Sequence, residues 1–164
     1  MSIEPTGRIE TRDGVRRLII ERTLAAPIEE VWAAVTEPAR LERWIGTWTG
    51  DPDEGRVTFR MTAEGADAPE ETIEIRECVP PRRLAVSSQW DLELDLAEHD
   101  TGTSLVFTQP GIDPVEAESV GPGWEYYLDR LVAVVTGADV SSIDFDGDYY
   151  PAMLEHYRSQ ASGG

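Results

Sequence analysis

Six aromatic side chains, Trp44, Trp48, Phe59, Trp90, Trp124 and Tyr127, sit in patterned segments where they would wall one interior space. Rings of this kind stack on planar or apolar molecules, and a tyrosine adds a hydroxyl that needs a partner when buried. Met61, Ile75, Leu128 and Leu131 join them as the apolar positions expected to touch a ligand. Aromatic residues at regular spacing more commonly fill cores. The set therefore points to binding only where the fold leaves a gap beside it.

Glu77 is the candidate for acid–base work. It shares strand parity with Ile73, Ile75 and Val79, and a carboxylate buried there would have its pKa raised. In the competing account the strand ends or bulges before Pro80-Pro81, and Glu77 pairs with Arg82 or Arg83. That account is favoured, because charges are seldom buried without a partner. Glu77 nonetheless stays among the ligand-contact candidates. Arg22 and Ser88 share the inward parity more weakly, and Tyr127, Glu77 and Arg22 are the nominees for orienting a ligand.

No catalytic set stands out. His99 falls in a turn and reads as solvated, His156 falls in a terminal helix and reads as surface or packing, and no local Ser/His/Asp arrangement exists. Asp144, Asp146 and Asp148 alternate as in a calcium loop, but Tyr149 stands where such a loop requires glycine. Cys78, the single cysteine, shares the parity of Glu74 and Arg76, and nothing marks it as activated. One cysteine forms no internal disulfide and no multi-cysteine zinc site, and two distant histidines supply no histidine site. Neither metal nor cofactor is expected.

The elements that must position these residues follow from hydropathy. The 164 residues suffice for one sizeable core. Leu18, Ile20 and Leu24 alternate as a strand, Pro27 opens a short helix bearing Val31, Trp32 and Val35, and Pro38 opens a second. From Arg56 the period becomes two, through Val57-Phe59-Met61, Ile73-Ile75, Leu84-Val86, Leu92-Leu94-Leu96 and Leu105-Phe107. Short turns between these runs predict an antiparallel meander, making about six strands in all. Trp124, Tyr127, Leu128, Leu131, Val132 and Val135 then recur at helical spacing, with Pro122 able to start that helix and Gly137 to stop it. Tyr126 falls to its flank. A short terminal helix and a Ser/Gly tail expected to fray follow. The predicted class is α+β: a sheet whose apolar face is covered by the long helix, with two short helices at one end.

A formal charge of −18 repels phosphate backbones, so nucleic acid is not an expected partner. No apolar run is long enough to span a bilayer and the N-terminus lacks an apolar signal, so membrane insertion is not expected and a cytoplasmic location is. Homodimerisation is left open.

With these elements in order, the motifs become recognisable. "RTLAAPIEEVWAAVTEPARLERWIG" resembles the opening of the START-like, Bet v 1-like (SRPBCC) helix-grip superfamily, in its branch related to the activator of Hsp90 ATPase. Glu29 through Trp44 match that branch's E-x-V-W-x-A-x-T-x-P-x-x-L-x-x-W, and "RECVPPRRLAVSSQW", "GTSLVFTQPG" and "GWEYYLDRL" are similar to its later motifs. The resemblance covers about residues 15 to 137, and the tail from Ala138 to Arg158 resembles additions in bacterial members. It implies a curved antiparallel sheet wrapped around a long C-terminal helix, with a pocket between them. In this reading 1–137 form the helix-grip domain, and 138–164 an extension whose short helix packs on the same domain. Relatives bind sterols, lipids, hormones, polyketides or aromatic alkaloids, and a few perform cyclisations. The leading expectation is a small hydrophobic or aromatic ligand in that pocket. The alternatives are a cyclase- or aromatase-like enzyme, or a regulatory or chaperone-linked interaction domain. The branch's chaperone activity belongs to a larger protein with an additional N-terminal domain, for which this chain leaves no room.

Overall fold

The computed structural model describes residues 4–65, 67–100 and 102–163. Thr101, in the turn expected at "HDTG", and Gly164, at the end of the Ser/Gly tail, lie outside the described residues. Eight strands form one antiparallel sheet in the order β1-β2-β8-β7-β6-β5-β4-β3. Six of them are those expected: β2 (Val15–Leu24), β4 (Arg56–Arg60), β5 (Glu70–Val79), β6 (Arg83–Ser87), β7 (Asp91–His99) and β8 (Gly102–Pro110). The other two are edge strands, β1 (Arg8–Arg12) and β3 (Thr47–Thr49). β1 joins β2 through Asp13-Gly14, whose φ values of 53° and 79° suit the right-handed twist of a two-residue hairpin. That Asp-Gly pair was the readable signal for the missed strand. Its edge is partly covered, because the Gln160 side chain accepts from the Ile9 N–H at 3.2 Å.

Helices α1 (Ile28–Thr36) and α2 (Pro38–Leu41) follow β2 as the proline positions predict. The long helix α3 runs from Pro114 to Thr136, starting eight residues before Pro122. Asp113 caps it by accepting from the Val115 N–H at 2.8 Å, and Pro114 occupies the first turn, where no N–H is missed. Pro122 therefore lies inside the helix rather than at its start, while Gly137 at φ 82° does end it. Two further helices, α4 (Phe145–Asp148) and α5 (Leu154–Gly163), complete the chain, and α5 packs against α3 and β1.

The alternation of β8 is nearly ideal: Thr103, Leu105, Phe107 and Gln109 are buried and their neighbours are not. With Leu18, Ile20 and Leu24 of β2, Val31 and Val35 of α1, and Leu128 and Leu131 of α3, they form the main core. Behind α3 a second contact layer forms, where the Tyr157 ring of α5 lies directly on Gly121. A Cβ added at Gly121 would stand 2.5 Å from that ring. Gly121→Ala should gain about 1 kcal/mol of helix propensity but lose about 1–3 kcal/mol to overpacking. Net destabilisation is the expected result in urea unfolding; a stabilised variant would show that α5 yields freely.

Candidate functional site

α3 faces two ways. On one side Val120, Gly123, Trp124, Tyr126, Tyr127 and Leu128 look onto a partly open cavity of about 860 Å³ between the helix and the sheet. The floor is built by inward residues of β4 to β8, namely Val57, Phe59, Ile73, Ile75, Leu84, Val86, Leu92, Leu94 and Phe107. One end is closed by Trp32, Val35, Leu41, Trp44 and Trp48, and Phe145 of α4 contributes to the wall from the C-terminal extension.

Nine of the eleven sequence candidates border this space: Trp44, Trp48, Phe59, Met61, Ile75, Trp90, Trp124, Tyr127 and Leu128. Three of the tryptophans present only their rings to it, because protein acceptors take their N–H groups. Trp44 donates to the Ala34 carbonyl at 2.8 Å, Trp48 to that of Thr36 at 2.7 Å, and Trp124 to Oε1 of Gln109 at 3.0 Å. Trp124 also leans on Phe107, with ring centroids 4.6 Å apart. Tyr127 sends its hydroxyl to Glu64 at 3.3 Å. Burial first, then the Glu64 charge and hydrogen bond, hold that phenol above its ordinary value, so it stays a neutral donor at physiological pH.

Two candidates are elsewhere. Leu131 is 1% exposed in the core and does not border the cavity. Glu77 is exposed and accepts from Arg83 Nε at 2.8 Å, and the same guanidinium bonds Asp95 and Glu93. The physical reason is a β-bulge: β5 pairs with β6 through Ile75↔Val86 and then Glu77↔Ala85, so one residue is inserted and the alternation reverses. Glu77 turns outward and Cys78 takes the inward place, bordering the cavity. The same slip explains why Cys78, read from parity as outward, is at the mouth.

Arg22 is also not at the cavity. It lies behind α3, donating to Asp129 at 2.8 Å and to Glu125 at 3.3 Å. Ser88 is exposed beyond β6. Tyr126, assigned to the helix flank, borders the cavity while meeting Phe145 and Tyr149 edge-on at 5.2 and 5.4 Å. His99 is exposed near Asp100, and His156 is half-buried with Nε2 2.7 Å from the Gly7 carbonyl oxygen. Among the described residues no group of His, Cys, Asp and Glu is arranged to hold a metal. No described helix is long and apolar enough to cross a membrane.

The side of α3 away from the cavity holds the feature that periodicity missed. Glu125 is fully buried and accepts from the Thr6 N–H at 2.9 Å, the Thr6 hydroxyl at 2.7 Å and the Tyr157 hydroxyl, besides Arg22. Tyr149 donates to Asp129 at 2.7 Å beside it. Both ends of the chain are thus fastened to the back of the helix.

A curved sheet closed on a long C-terminal helix, with an apolar cavity between, defines a helix-grip protein. Residues 25–136 match the family described as activator of Hsp90 ATPase homolog 1-like protein, and the chain belongs to that family. Among solved structures it is similar to CalU16 from Micromonospora echinospora. The crystal structure of that protein shares 27% identity at TM-score 0.66, covering 98% of this chain and 94% of that one. A conserved protein of unknown function, EF2215 from Enterococcus faecalis, shares the fold at TM-score 0.73 and 22% identity, over 96% of this chain and 91% of that one. No curated protein matches significantly.

Proposed function

We propose that the protein binds a small hydrophobic or aromatic molecule in the cavity between α3 and the sheet. The observation that carries the reading is a partly open cavity of about 860 Å³ whose walls are mostly aromatic and aliphatic. Ligand sites are typically about 300–1,000 Å³ and mostly apolar, with few polar groups. Apolar area removed from water would supply the affinity, at about 25 cal/mol per Å² before ordering costs. A cyclase-like reading loses its main nominee, because Glu77 is engaged by Arg83 outside the cavity.

A neutral probe, N-phenyl-1-naphthylamine, is expected to bind with blue-shifted emission and to raise the melting temperature by linkage. Val86→Trp, which grows an indole from the cavity floor, should weaken that binding by about tenfold while leaving the fold intact. Probe binding unchanged by the substitution would place the ligand elsewhere. Native mass spectrometry of protein from its own host should show a co-purifying small molecule.

A further inference from the structure

The cavity is apolar but not neutral. Two carboxylate side chains, Glu64 and Glu71, border it, and no Lys, Arg or His is among the lining residues. Both carboxylates come from one side, since Glu64 lies in the connection after β4 and Glu71 is the second residue of β5. Glu71 shares the inward parity of Ile73 and Ile75 and is half-buried opposite Phe59, whereas Glu64 is exposed. Tyr127 donates to Oε1 of Glu64 and so holds that carboxylate at the mouth.

The nearby cations are committed elsewhere. Arg60 binds Glu70 at 2.6 Å, Arg83 binds three carboxylates on the outer face, and Arg130 donates to the Trp44 carbonyl at 2.9 Å. Among the described residues no basic side chain pairs with Glu64 or Glu71. A half-buried carboxylate without a cation is electrostatically unfinished, and the aromatic faces beside it favour positive charge as well.

We propose that the ligand is a hydrophobic molecule bearing a protonated amine, its body among the tryptophans and its ammonium at Glu64 and Glu71. The inference rests on the reading of the cavity as a ligand site. It deepens that reading by assigning the ligand's charge. A neutral ligand would leave the carboxylates as they are, and an anion would meet repulsion with no basic side chain among the lining residues to offset it.

The test is calorimetric titration with three probes of one shape: 2-naphthylmethylammonium, 2-naphthalenemethanol and 2-naphthoate. The ammonium should bind about tenfold tighter than the alcohol, with the carboxylate weakest, and added salt should narrow the spread. In the double variant Glu64→Gln, Glu71→Gln the ammonium should fall to the affinity of the alcohol. Glu64→Gln alone, which leaves β5 untouched, should lose part of the preference and guards against misfolding of the double variant. The control Glu29→Gln, Glu30→Gln removes equal charge from the exposed first turn of α1 and should keep the preference. Equal affinity for ammonium and alcohol overturns the charge assignment and leaves the cavity reading standing. Equal loss in the control overturns it too, assigning the preference to the overall charge. No binding of any probe overturns both.

Discussion

Glu125→Ala is expected to destabilise the protein by about 3–5 kcal/mol, the range for breaking a buried ion pair by removing one partner. The carboxylate is 0% exposed and serves the Thr6 N–H and hydroxyl, Tyr157 and Arg22 together. Its loss leaves the Arg22 guanidinium, whose side chain is 12% exposed, with Asp129 as its remaining carboxylate partner beside the Thr6 hydroxyl and the Glu21 carbonyl, and strands a buried phenol and a backbone donor. Each unsatisfied group adds about 1–3 kcal/mol, so the sum cannot be small. In a chain of this size the melting temperature should drop by about 2–4 °C per kcal/mol. Glu125→Gln, which keeps an acceptor but not the charge, should fall between. Urea unfolding with a loss under about 1 kcal/mol for the alanine variant would show that the chain ends are held by apolar contacts instead.

Alkaline pH should unfold the protein through the same region. The phenols of Tyr149 and Tyr157 are both fully buried, and both are pushed well above the ordinary value, first by burial and then by the neighbouring carboxylates Asp129 and Glu125. The folded state therefore keeps these protons where the unfolded chain, titrating near about pH 10, releases them. Their contribution is fully present below about pH 10 and is lost as pH rises from there toward the folded-state values, at about 1.4 kcal/mol per pH unit per phenol. These two phenols give a slope of about 2.7 kcal/mol per unit, and the Tyr127 phenol, also held above its ordinary value by burial, adds about 1.4. Tyr157→Phe should lower the summed slope by about a third, at the expense of one hydrogen bond. Stability that stays flat between about pH 10 and 11 would refute the assignment.

How far the sequence could be read depends on the range over which each feature is determined. Strands β4 to β8 and the apolar stripe of α3 are local patterns, and Val57, Ile73, Leu92 and Trp124 face where parity and helical spacing place them. The inward turn of Cys78 and outward turn of Glu77 were out of reach of parity alone, because one inserted residue in β5 resets the phase. Pro122 misled for a similar reason: proline is a frequent first residue of helices, and the cap at Asp113 lay behind a weakly patterned stretch. Glu125 is the sharper case. It lies between Trp124 and Tyr126, and its burial depends on partners 32 to 119 residues away in sequence. The cavity itself lies between these extremes. Its lining residues were largely visible, but whether space remained beside them is a property of the assembled volume.

The two-sided character of α3 divides the helix between two tasks. The contacts that fasten the chain ends use Gly121, Glu125 and Asp129, whereas Val120, Trp124 and Tyr127 face the cavity. The two flanks meet where Tyr126 packs edge-on against Tyr149, whose hydroxyl is bonded to Asp129. Residues that line the cavity and residues that hold the terminal segments are thus mostly different positions of one helix. EF2215 shares this fold at 22% identity.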